Sequence, residues 1–184
     1  MRLFAGVPIP EPARARILEL LSDLRKEEWP VRWVHDEGLH LTLKFFGEVA
    51  PERLEVISEA LRFAADGAGA LSLTLGGLGA FPTRSRPRIL WAGMDAPPSL
   101  ELLQDRIERG CEAIGFPPEG APFQPHITLG RVREGQRLPS RGLDAHEERM
   151  KPVPFVAREL VLYESVLTTG GPRYESRLTL TLGE

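Results

Sequence analysis

The strongest constraint on this chain is a four-residue word that occurs twice. Leu39-His40-Leu41-Thr42-Leu43 and Pro125-His126-Ile127-Thr128-Leu129 share the order His, apolar, Thr, apolar, and their histidines stand 86 residues apart. In an extended strand, side chains two apart leave the same face. Each word, read as a strand, puts its His and Thr together on one face and packs Leu or Ile behind them. A fold that carries both words must supply two half-buried strands, each presenting a polar pair from a rigid support. The chain has only four histidines, His35, His40, His126 and His146, and two of them fall in the repeated frame.

The segments around the words mix two periods. Arg2–Pro8 alternates as a strand, and Glu11–Lys26 sets Ala13, Ile17, Leu20, Leu21 and Leu24 on one helical face. Val31–Val34 and Leu39–Gly47 read as strands. Pro51 opens a helix bearing Leu54, Ile57, Leu61 and Ala64, at a first turn where its missing N–H costs nothing, and Asp66-Gly67-Ala68-Gly69 ends it. Leu71–Leu78 and Arg88–Gly93 form a hairpin pattern, joined by the loop Phe81–Pro87 with a basic tip. Ser99–Ile114 returns to helical spacing, and a stiff proline-rich loop leads into strand His126–Val132. Arg137–Lys151 has no apolar periodicity and is expected as an exposed excursion carrying His146, before two last strands near Val156–Leu167 and Tyr174–Leu182. Helices and strands do not alternate regularly and the connections are short. That predicts an α+β fold with largely antiparallel sheets.

Composition narrows the function classes. Lys and Arg number 23 against 26 Asp and Glu, a net charge of −3, so the chain does not coat nucleic acid through bulk charge and any RNA contact must be local. No segment approaches the roughly 18 apolar residues of a membrane-spanning helix, and the N-terminus reads as a first strand rather than a leader. Cys111 stands alone, without a disulfide partner or metal-ligand spacing, and is expected as a packed residue late in a helix; a reducing cytoplasm is the default compartment. The scattered prolines and glycines form no flexible tether between domains.

Two imidazoles and two hydroxyls have a short list of uses. An unperturbed histidine titrates near 6.5, so one of a pair can be neutral while the other holds a proton, as acid–base catalysis requires. Threonine hydroxyls donate to phosphate oxygens without adding negative charge. Two such clusters facing each other would flank a phosphoryl group, with the base behind the nucleophile and the acid at the leaving oxygen. The rival use is zinc, which wants three or four protein ligands, whereas the neighbours here are hydroxyls. No metal ligand set is expected.

At these residues the sequence resembles the two-histidine (2H) phosphoesterase superfamily and, within it, the RNA 2′,3′-cyclic phosphodiesterases, also called bacterial and archaeal 2′-5′ RNA ligases. The resemblance runs through RLFAGVPIP, HLTLKFFGEV, FPTRSRPRILWAG, PHITLGRVR and LYESVLTTGGPRYESRLTL, essentially the whole chain. It implies one domain over residues 1–184, made of two intertwined, pseudo-symmetric lobes. Each lobe is an antiparallel sheet with outer helices, and one word lines each wall of a central cleft. It further implies metal-independent hydrolysis of RNA 2′,3′-cyclic phosphate ends to 2′-phosphate, possible reversal as 2′-5′ ligation, no cofactor, and a cytoplasmic monomer.

Position by position, the resemblance makes His40 the acid at the leaving ribose oxygen and His126 the base that activates water. Thr42 and Thr128 become phosphate-binding hydroxyls, Arg131 a further phosphate contact, and Phe45 an aromatic that stacks on the terminal base. Strict alternation opposes the last two, because residues five positions from a histidine face the other side; a bulge or strand end must turn them. Arg84, Arg86 and Arg88 read equally as a solvated hairpin tip and as a loop that holds RNA phosphates. Tyr163 and Tyr174 fit core packing as well as substrate contact. Two other functions stay open: a module that binds nucleotide or RNA without turnover, and a phosphodiesterase for a small cyclic nucleotide.

Overall fold

The computed structural model describes residues 1–139 and 141–183. In chain order its elements are β1 (Arg2–Pro8), α1 (Ala13–Arg25), β2 (Val31–Trp33), β3 (His40–Glu48), α2 (Leu54–Ala65), β4 (Leu71–Thr83), β5 (Arg86–Met94), α3 (Pro98–Ala113), β6 (His126–Val132), α4 (Asp144–Glu148), β7 (Val153–Ala157), β8 (Glu159–Thr168) and β9 (Gly171–Thr181). The fold is α+β, with every strand pairing antiparallel.

The strands form one sheet in the order β7-β4-β5-β6-β3-β1-β8-β9, and β2 adds to β6. Read outward from the β3–β6 seam, the sheet has two matching halves, β3-β1-β8-β9 and β6-β5-β4-β7. The expected lobes are thus halves of one continuous sheet, joined at the seam by a single ladder position, Leu41 opposite Ile127. Helices α2 and α3 pack on each other and against the first half, while α1 and α4 lie against β7 and β4 of the second. No helix is long and apolar enough to cross a membrane.

Local sequence explains most boundaries. The α1 face foreseen from spacing, Ala13, Ile17, Leu20, Leu21 and Leu24, is the face the helix buries. A single 3-10 turn at Pro51–Arg53 precedes α2, which stops where Gly67 takes the left-handed conformation at φ +68°. Cys111 is fully buried near the end of α3, as expected.

Three expectations need correction. The loop Phe81–Pro87 is mostly strand: β4 and β5 continue until only Arg84 and Ser85 remain to turn, with Pro82 opposite Pro87. The final stretch holds a further strand, β7, which pairs with β4 at the sheet's outer edge; Pro154 within it is tolerated there. Arg137–Lys151 is no simple exposed excursion. Around α4 it buries Leu143, His146 and Met150, and His146 Nε2 lies 2.8 Å from Glu27 Oε1 with its ring edge-on to Trp29. A five-residue helix is too short to declare a period.

Candidate active site

Both words fold as the strands they predict, β3 and β6, side by side at the centre of the sheet. Leu41 and Ile127 are ladder partners, so extending that antiparallel register by one residue sets His40 toward Thr128 and Thr42 toward His126. That register sets each histidine across the seam from the threonine of the other word. The apolar residues of the words, Leu41, Leu43, Ile127 and Leu129, are buried beneath, and the four polar residues are half-buried.

The two strands repeat more than their words. Opposite β1, Gly6 pairs with Thr42 and Ala5 with Lys44, leaving Leu43 as an extra residue; opposite β5, Trp91 pairs with Thr128 and Leu90 with Gly130, leaving Leu129 extra. Each word thus carries a β-bulge directly after its threonine. A bulge reverses the alternation beyond it. Phe45 consequently pairs with Phe4, whose ring stacks on His40 at 4.5 Å, and Arg131 pairs with Ile89, two residues from Trp91 beside His126. Phe45 and Arg131 are exposed on the histidine face. Of the two ways to turn these residues, a bulge or a strand end, both strands use a bulge.

The halves differ in how they hold the imidazole. His40 sits in an aromatic box, stacked on Phe4, edge-on to Tyr174 at 5.1 Å and 5.9 Å from Tyr163. Burial there drives its pKa down to about 4; a backbone bond at Gly38 acts in the opposite direction, and the nearby His126 adds a smaller lowering. His126 is instead held by a 2.7 Å hydrogen bond between Nδ1 and the Gln124 carbonyl, with Phe81 edge-on at 4.9 Å. A protonated Nδ1 donating to that carbonyl leaves the Nε2 lone pair free for chemistry. Burial also raises the hydroxyl of Tyr163 to about 12 and that of Tyr174 in the same direction, with Arg131 and Arg2 partly offsetting the latter. Arg131 thus reaches the electrostatic surroundings of the His40 box.

Several participants were not legible from the words. The aromatics around the histidines come from β1, β4, β5, β8 and β9, and nothing local in sequence links them. Tyr163 and Tyr174, ambiguous from sequence, both line the box, whereas His35 lies outside it, its Nε2 2.9 Å from the Gly170 carbonyl. Lys44, one residue past the bulge, turns away from the site into the core, where its Nζ meets Glu108 of α3 at 2.6 Å and the Pro117 carbonyl at 2.5 Å. At the matching place in β6, Gly130 lies so close to Val31 and Trp33 of β2 that a Cβ would come within 2.5 Å and 2.8 Å of them. Among the described residues, no group of three or more His, Cys, Asp or Glu side chains is placed to hold a metal ion.

A family model described as LigT like Phosphoesterase matches residues 7–91 and 94–174. An RNA 2′,3′-cyclic phosphodiesterase of Aeropyrum pernix is 34% identical over 88% of this chain and 92% of its own length. A relative of the same name from Geobacillus stearothermophilus is 32% identical over 94% of the chain, which spans only 54% of that protein. The crystal structure of TT0787 of Thermus thermophilus superposes with a TM-score of 0.82 at 29% identity, covering 99% of this chain and 98% of that one. Agreement in sequence and fold along nearly its full length makes this chain a member of the LigT-like phosphoesterase family.

Proposed function

We propose that the chain hydrolyses 2′,3′-cyclic phosphate ends of RNA, with His40 and His126 as its acid–base pair. The observation that carries this reading is the seam: two His-Thr pairs on adjacent strands, each histidine set across from the other word's threonine. The names of the relatives supply the substrate class. In the reaction, water oxygen bonds to phosphorus and the P–O3′ bond breaks, giving a 2′-phosphate and a 3′-hydroxyl. His126 takes the proton from water and His40 gives one to the departing oxygen. Thr42 and Thr128 donate to the non-bridging oxygens, Arg131 offsets their charge, and Phe45 stacks on the terminal base. Acid, base and charge acceptor are all side chains, so the scheme takes no metal. An RNA 5′-hydroxyl in place of water gives 2′-5′ ligation by the same path.

One observation favours the opposite order of proton transfer. With its pKa near 4, His40 is neutral at pH 7 before substrate binds, the state of a base. His126 would then supply the proton.

The test is turnover of an RNA oligomer ending in 2′,3′-cyclic phosphate by EDTA-treated protein, beside His40→Ala and His126→Ala. Turnover by the wild type alone supports the pair. No wild-type turnover removes the activity, and binding without turnover would favour a non-catalytic module. Preference for free cyclic nucleotides over RNA would change the substrate, product bearing a 3′-phosphate would change the leaving oxygen, and activity restored only by added metal would overturn the scheme.

A further inference from the structure

Among the described residues, most arginines are occupied by carboxylates or backbone carbonyls, but several at the far end of β5 and β6 have no carboxylate to neutralise them. There the β4–β5 turn and the segment after β6 enclose a groove of about 760 Å³, whose lining includes Arg84, Arg86, Arg88, Arg137 and Arg141 against a single acidic residue, Asp144. Counting Glu147, which also pairs with Arg84, five positive charges against two negative make a local +3 on a chain whose net charge is −3. Arg84 does not face solvent freely. Its guanidinium is braced by Asp144 at 2.9 Å, Glu147 at 2.8 Å and the Leu78 carbonyl at 2.9 Å, fixing the turn against α4. Arg141 shares Asp144. Arg86, Arg88 and Arg137 are exposed and have no carboxylate partner among the described residues; Arg88 Nη1 donates only to the Gln136 carbonyl, at 3.5 Å.

The groove is connected to the histidines through the sheet. Gly93 lies opposite His126, and Arg86 is seven residues back along β5, about 23 Å at roughly 3.3 Å per residue. Between the two stand Arg131 and Arg32, exposed register partners on β6 and β2 that share the histidine face. Two exposed arginines thus lie along the sheet between the reacting centre and the groove.

We propose that this groove is a second anion site, which holds the phosphodiester backbone of the RNA strand behind its reacting end. The inference rests on the RNA reading above and adds a length requirement to it. Arginines that neutralise backbone phosphates carry no sequence preference and give salt-dependent binding. The groove thus favours long RNA over a mononucleotide without choosing among sequences.

The test compares 2′,3′-cyclic AMP with an RNA hexamer ending in 2′,3′-cyclic phosphate, using wild type, R86E/R137E and R86K/R137K. Wild type should prefer the hexamer. The Glu variant should lose about tenfold in kcat/KM on the hexamer and nothing on cyclic AMP, and its salt slope for hexamer binding should fall by about 1.4, two single-strand phosphate contacts. The Lys variant should keep most of both. Equal handling of the hexamer by wild type and the Glu variant, or an equal loss on both substrates, overturns the groove. If wild type turns over neither substrate, the reaction reading fails separately; the groove is then judged by anisotropy with a hexamer ending in 3′-phosphate, where the same tenfold loss supports it and no loss overturns it.

Discussion

Strand β3 over His40–Phe46 and strand β6 over His126–Val132 bury the same positions in the same order and bulge after the same threonine. Position four of the repeat, counted from the histidine, is a buried lysine in one strand and a glycine in the other; position five is Phe45 in one and Arg131 in the other. One backbone plan thus presents two different surfaces. Backbone symmetry gives two facing imidazoles; side-chain asymmetry gives them different surroundings and gives a substrate two distinguishable sides. The duplicated strand positions the chemistry, and the unmatched residues orient it.

The largest expected effect breaks the symmetry of the histidines. Either His→Ala change should cost about 10²–10⁴ in kcat through lost proton transfer. A substrate whose 3′ leaving oxygen is replaced by sulfur needs little protonation. Turnover of that substrate should recover in the variant lacking the acid and stay low in the variant lacking the base. Recovery in His40→Ala assigns the acid to β3; recovery in His126→Ala assigns it to β6.

At position four the contrast concerns stability. Lys44→Met leaves the Glu108 carboxyl without its partner cation in the core and should destabilise by about 3–5 kcal/mol in urea unfolding, whereas Lys44→Met with Glu108→Leu should return close to wild type. Gly130→Ala should cost about 1–3 kcal/mol by pushing β2 away from β6, with no charge involved. If the double variant is no better than Lys44→Met, the ion pair is not what the lysine provides.

A third contrast concerns pH. Because burial lowers His40 to about 4 from 6.5, the folded chain binds fewer protons than the unfolded one between those values. Its stability is therefore full above about pH 6.5 and falls as pH drops toward 4, by at most about 3 kcal/mol. In urea melts at pH 7 and pH 5, His40→Asn should show a smaller loss than wild type. An identical loss in both would place the acid sensitivity elsewhere.

Sequence alone revealed the strands that carry the words because alternation needs only neighbouring residues; the bulges became an option only once the resemblance placed Phe45 and Arg131 beside the histidines, with a strand end as the other. It did not reveal the aromatic box, since Phe4, Tyr163 and Tyr174 meet His40 only after strands distant in the chain become neighbours. Nothing local marked Lys44 as a core residue, because its partner, Glu108, lies 64 residues away on a helix. The short edge strand β7 and the buried His146 were hidden for a related reason: each belongs to an element of five residues, too brief to show a period.

Position five should give the smallest effects, and salt separates them. Phe45 is 43% exposed, so a base stacked on it gains contact area rather than charge, and Phe45→Ala should raise KM for the RNA end about tenfold, within the lower half of the range for a base–aromatic stack. Arg131→Ala should raise KM by a similar factor at low salt through a lost charge-assisted contact to phosphate. Raising salt from about 0.1 M to about 1 M shortens the screening length from about 10 Å to about 3 Å, which weakens an exposed charge contact and leaves a stack in place. The Arg131 penalty should therefore shrink in high salt while the Phe45 penalty persists. Penalties that respond alike to salt would mean that the two halves contact the substrate through the same kind of force, and the polarity assigned to position five would be lost.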